Sequence, residues 1–189
     1  MKHLIGLIIS VAILGTITTP ISEENIINPV KTERKEIVQE VNYYQIPLSE
    51  DIQDIIFEEC EKHNLEPSLV LALIWQESTY KTNNISRSGE SFGLMQLHRS
   101  VHNELAQELQ INDFDALNAK HNILAGTLKL KQCIDIWIQD YSKEEAIYRG
   151  LNSYNFGYMG YLKHIDKHGI QWKYADEILE KQKIIESRD

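Results

Sequence analysis

The chain has 189 residues, 42% of them hydrophobic and 25% charged, which is a globular composition and excludes a fibrous or disordered polypeptide. Its length accommodates one domain with a leader and a tether, and leaves no room for two full domains. Lys+Arg 19 against Asp+Glu 28 gives a net charge of −9, so a phosphate backbone would be repelled and nucleic acid is set aside as a partner.

In chain order, Met1, Lys2 and His3 precede an apolar run from Leu4 to Ile17. A basic start followed by a short apolar stretch has the proportions of a secretory signal, and the run decays at Thr18, Thr19 and Pro20 before the roughly 20 residues that a bilayer span needs. No clear small-x-small cleavage site follows. Residues 1–21 therefore read either as a signal peptide or as an uncleaved N-terminal membrane anchor, and both place the rest of the chain outside the cytoplasmic membrane. Residues 22–47, rich in Glu, Lys, Asn and Gln, read as a polar tether.

The body, residues 48–175, reads as helical. Ser49, Glu50 and Asp51 ahead of Ile52, Ile55, Ile56 and Cys60 give an N-cap, an acidic first turn and an apolar stripe, with Cys60 facing the core. Pro67 at a helix start introduces a segment from Ser68 to about Tyr80. A third helix, from Asn118 to about Trp137, carries Ile123, Leu130, Ile134 and Trp137 on one face, and Ser142 with Glu145 forms a capping box for a fourth. Its inner face would hold Ala146, Gly150, Leu151 and Tyr154. Strand periodicity is scarce, and Gly, Ser and Asn gather between Asn83 and Gly93, so the expectation is an all-α domain with one long polar loop. Residues 176–189 read as a charged, solvated C-terminal tail.

The two cysteines, Cys60 and Cys133, lack the spacing of a metal cluster, and whether they pair depends on the compartment. His98, His102, His121, His164 and His168 have no paired ligand spacing, so no metal site is expected. Tyr148, Tyr158, Tyr161 and Trp172 could stack on sugars, but aromatics at helical spacing read first as core.

One residue stands out on the second helix. Val70, Leu73, Ile74 and Glu77 share a face, so a carboxylate rides on the stripe that should meet the core, near the helix's negative C-terminal end. Burial and the dipole both raise a carboxyl pKa, and an acid that keeps its proton near neutral pH suits general acid catalysis, for instance on a glycosidic oxygen. An amphipathic helix whose last turn emerges into solvent would give the same pattern. The loop that follows favours the first reading: Ser86, Ser88, Gly89, Ser91 and Gly93 lead into Leu94, Met95, Gln96 and Leu97, a glycine-bracketed turn whose hydroxyls and amide suit an N-acetylated sugar.

Several ordered blocks here resemble the soluble-lytic-transglycosylase family of peptidoglycan lyases, related to goose-type lysozymes. Glu77-Ser78 followed by Tyr80 resembles the family's catalytic block, and Ser86 through Gly89 with Gly93-Leu94-Met95-Gln96 resembles its second. Asn122-Ile123 with Gly126 and Leu130 is similar to the third block, and Tyr154-Asn155 with Gly157 to the fourth. The departures are a spacing between Glu77 and Gly93 one residue longer than usual, Lys129 where an aromatic is usual, and Glu90 inside the loop. With the longer spacing, either Ser86 or Ser88 takes the place of the family serine.

The resemblance implies a lysozyme-like fold and cleavage of the bond between N-acetylmuramic acid (MurNAc) and N-acetylglucosamine (GlcNAc) in peptidoglycan, without cofactor. In the implied mechanism Glu77 acts alone, first as acid and then as base, while the muramyl C6 hydroxyl closes a 1,6-anhydro ring. It further implies that Tyr154 holds Glu77 through its hydroxyl with Asn155 nearby, and that Gln96, Met95 and Ser86 or Ser88 line the sugar subsites. Glu90 keeps a second outcome open: aimed into the cleft, it could orient water for a goose-type hydrolase. A third is a cell-wall-binding module without catalysis. The expected partner is the glycan strand, with an envelope-spanning machine or a membrane tether as a further possibility.

Overall fold

The computed structural model describes residues 42–188, so the leader and most of the tether lie outside the described residues. The helices are α1 (Glu50–His63), α2 (Pro67–Ser78), α3 (His102–Glu108), α4 (Ala119–Ile138), α5 (Lys143–Phe156), α6 (Tyr158–His168) and α7 (Lys173–Glu186). Two short strands, β1 (Ser91–Phe92) and β2 (Leu97–His98), pair antiparallel between α2 and α3. The fold is all-α and lysozyme-like, with this hairpin as its small sheet.

The local signals that start α2, α4 and α5 are used as chemistry dictates, whereas Ser49, at the N-cap of α1, makes no side-chain capping bond. Pro67 occupies the first turn of α2, where a missing N–H costs nothing. The Asn118 side chain accepts from the His121 amide at the start of α4, and Ser142 accepts from Glu145 at the start of α5. Glu145 does not return the bond; its carboxylate pairs with Arg149 one turn on, so the capping box is half made.

Helix α2 forms the centre. Leu69 through Ile74 are all buried, and α7 packs along one side of it while α4 runs between α1 and α5. Truncating one of these leucines to alanine would cost about 2–5 kcal/mol, since so enclosed a site cannot collapse around the gap. Close approach of α4 to its neighbours depends on small residues: a Cβ on Gly150 would lie 2.5 Å from Ile134. Cys60 and Cys133 are both buried, free thiols, and burial raises both, to about 12 and about 11.

Two expected boundaries move. Residues 176–189 are no solvated tail: α7 runs to Glu186, with Tyr174, Ala175, Ile178 and Ile185 buried and its polar face tied to α2. Ser68 bonds Glu186, Gln76 bonds Glu177, and Lys181 bonds Gln76. The end of the tether also joins the domain. Tyr43 donates to Asp54, and the buried Gln53 side chain holds the backbone of Tyr44 and Leu48.

Candidate active site

Glu77 sits in the last turn of α2, half-buried, on the wall of a cavity of about 390 Å³. Opposite elements supply the rest of that wall: Ser91 and Gln96 to His98 from the hairpin, Lys129 from α4, and Tyr154 to Gly157 from the end of α5. Among the described residues lining the cavity, Glu77 is the one carboxylate.

Burial raises the Glu77 carboxyl to about 7, against an opposing hydrogen bond from the Tyr174 hydroxyl that lowers it. Tyr174 comes from α7, and its own hydroxyl is held far above its usual pKa by burial and by Glu77, so it stays a donor. The pair gives an acid whose proton is held up into the neutral range and whose conjugate base has a ready hydrogen-bond partner. This is the balance that an acid–base residue working in both directions requires.

The hairpin is fixed by one buried amide. Asn122 Oδ1 accepts from the Met95 amide at 2.8 Å, while its Nδ2 donates to the carbonyls of Phe92 and Ala116 at 2.9 and 2.8 Å. A side chain on Gly93 would collide with that amide, and its φ of +77° also calls for glycine. On α4, Gly126 lets Met95 pack flat: a Cβ there would lie 2.2 Å from its sulfur. The blocks similar to the family's second and third thus meet as a single clamp.

The residues expected to touch substrate divide. Gln96, Tyr154 and Asn155 do line the cavity with Glu77. Gln96 adopts a left-handed φ of 45° and spends its amide nitrogen on the carbonyls of Asn84 and Gly93, leaving its oxygen side available. The others are corrected. Met95 is fully buried beneath the hairpin and is a packing residue. Ser86 turns inward to accept from the amides of Glu90 and Ser91, and Ser88 lies exposed beside it at 3.1 Å; the serines on the cavity wall are Ser91 and Ser100.

Tyr154 does not hold Glu77 either: its hydroxyl donates to the Met95 carbonyl at 2.8 Å, locking α5 to the hairpin, and Tyr174 makes the bond to the carboxylate. Glu90 is off the cavity wall, paired to Arg99 Nε at 2.9 Å. Its carboxylate is engaged by Arg99, with His98 Nε2 of the cavity wall 3.9 Å away. Tyr174 was missed by sequence reasoning, although Tyr174, Ile178 and Ile185 on a helical stripe carry the signal.

Residues 54–176 match the Transglycosylase SLT domain family. The chain belongs to that family. Its fold is similar to that of lytic transglycosylase Slt from Pseudomonas aeruginosa, solved as an inactive mutant in which glutamine replaces a glutamate, with a TM-score of 0.60 and 18% sequence identity. The match covers 75% of this chain and 24% of that one, so the chain spans about a quarter of that protein's length. No curated protein sequence matches the chain. The matched SLT domain ends inside α7, just past Tyr174, so both partners of the Glu77–Tyr174 pair fall within it. Within the SLT domain, no cluster of three or more His, Cys, Asp or Glu side chains suited to a metal ion occurs among the described residues.

Proposed function

We propose that the chain is a peptidoglycan lytic transglycosylase that cleaves the MurNAc-β-1,4-GlcNAc bond without water. The observation that carries this reading is the single carboxylate on the cavity wall, raised to about 7 and hydrogen-bonded by Tyr174. Hydrolysing glycosidases use two carboxylates flanking the bond, and the second candidate, Glu90, is engaged by Arg99 instead.

In the proposed sequence Glu77 gives its proton to the glycosidic oxygen, and GlcNAc departs with a free hydroxyl. The resulting carboxylate, supported by Tyr174, takes the proton of the muramyl C6 hydroxyl as that oxygen bonds to the anomeric carbon. One C–O bond breaks, one forms, and Glu77 ends protonated as it began. The nucleophile is already attached to the substrate, so proximity replaces the activation of water. The neighbour from Pseudomonas aeruginosa, whose name is that of a lytic transglycosylase and whose Glu-to-Gln mutant is inactive, supports this assignment.

Residues 1–21 would export or anchor the chain and residues 22–47 would tether it at the wall; among the described residues no helix is long and apolar enough to cross a membrane. The test is mass spectrometry of fragments released from purified peptidoglycan by the chain lacking residues 1–20. Fragments ending in anhydromuramic acid are expected. Fragments heavier by one water would establish a hydrolase, and an absence of fragments with retained binding would establish a wall-binding module.

A further inference from the structure

Lys129 is the one Lys or Arg side chain on the cavity wall. Its place there is built in: Lys129 follows Ala125 and Gly126 by one helical turn, on the face of α4 that meets the hairpin, and both of those residues are buried beneath it. Matched cations lie elsewhere, by the hairpin and on α4 and α5. Arg99 pairs with Glu90, Lys131 with Asp135, and Arg149 with Glu145. Lys129 has no carboxylate within ion-pair distance among the described residues, and the causes that set the Glu77 carboxyl are burial and Tyr174.

An unmatched ammonium on the wall of a polar cleft, in a chain of net charge −9, is a local exception to the field of the whole molecule. Lys129 shares that wall with Glu77, Gln96 and Asn155, the groups that the proposed function sets around the sugar. Its partner should be an anion that the ligand brings. On the reading of the cleft as a muramyl-glycan site, the sugar ring itself is neutral, and the anionic group a muramyl unit carries is a carboxylate: the lactyl carboxylate when the strand is bare, or carboxylates of the peptide when the lactyl group is amidated.

We infer that Lys129 is a specificity-determining residue that binds a muramyl-borne carboxylate, so that the chain distinguishes anionic glycan strands from neutral ones. This rests on the proposed substrate class and extends it to the substituent beside the scissile bond. The interaction is a charge-assisted hydrogen bond in a half-buried site, stronger than an exposed surface pair.

The experiment measures binding rather than turnover, so that it stands apart from the catalytic reading. The full chain carrying Glu77→Gln is titrated with muramyl oligosaccharides in three forms: bare strands with free lactyl carboxylates, the same strands with the lactyl group converted to its neutral methylamide, and strands bearing peptides. Lys129→Gln should weaken binding to a carboxylate-bearing form about tenfold, leave the methylamide form unchanged, and be largely rescued by Lys129→Arg. Which of the two anionic forms loses affinity tells the lactyl source from the peptide source. Equal losses on charged and neutral strands, or no loss on any, would overturn the inference. So would failure of the chain to bind all three, which would remove the substrate class as well; binding without release of anhydro products from the unsubstituted chain would break the catalytic reading alone.

Discussion

Glu77 and Glu90 are the same side chain, thirteen positions apart, in opposite circumstances. Glu90 is held in the open by the Arg99 guanidinium, and its charge has a partner that substrate never needs to supply. Glu77 lies at the C-terminal end of a buried helix with no cation beside it, lines the cavity, and is matched by a neutral hydroxyl. A carboxylate becomes an acid through its surroundings: burial with a hydroxyl donor leaves both protonation states of Glu77 within reach near neutral pH.

The comparison is broken most severely by Glu77→Gln. Loss of the proton donor should lower kcat about a thousandfold with the fold intact, read from the release of soluble fragments. The same variant should be more stable than the parent in alkaline solution. The folded carboxyl titrates at about 7 against a usual 4.5, so ionisation is resisted in the folded state; the associated stability is present in full below pH 4.5 and lost as pH rises through 7. Replacing the acid with a neutral amide removes that loss, and urea unfolding at pH 8 should favour Glu77→Gln by about 3 kcal/mol, narrowing toward zero at pH 4.

A smaller effect sharpens the role of Tyr174. Its hydroxyl favours the ionised form of Glu77, so Tyr174→Phe should push that carboxyl above 7 and move the alkaline limb of the kcat/KM profile to higher pH. The rate itself should fall about tenfold, because the second half of the reaction loses support for the base. Smallest of all is Glu90→Gln, with activity within about twofold of the parent and anhydro products unchanged, since it breaks an exposed pair with Arg99 and, of the cavity wall, loses only a 3.9 Å approach to the exposed His98.

Much of the fold was legible because long amphipathic segments announce themselves. The stripes of α1, α4 and α5, the start of α4 at Asn118 and the cap at Ser142 are where period and propensity placed them. Helix α7 was not legible, since Lys173, Asp176, Glu177, Glu180, Lys181 and Lys183 make the segment look solvated while Tyr174, Ile178 and Ile185 face inward. Its charged residues serve as partners for the polar flank of α2. Strands of two residues are too short to show alternation, so the hairpin was hidden in the polar loop.

The site was legible at Glu77 and less so around it. A run such as Met95-Gln96 names two neighbours whose side chains part ways, one into the core and one into the cavity, and the order of letters carries no direction. The same holds for the serines: Ser86 closes a turn on backbone amides while Ser91 reaches the wall.

The central claim is that the surroundings of Glu77 keep its proton near neutral pH. Carbon-13 NMR titration of the side-chain carboxyl, assigned by its loss in Glu77→Gln, tests this most directly. A midpoint at about 7 is predicted, moving upward in Tyr174→Phe. A midpoint at the ordinary 4.5 would contradict the account, because an acid already ionised at neutral pH has no proton to give the glycosidic oxygen.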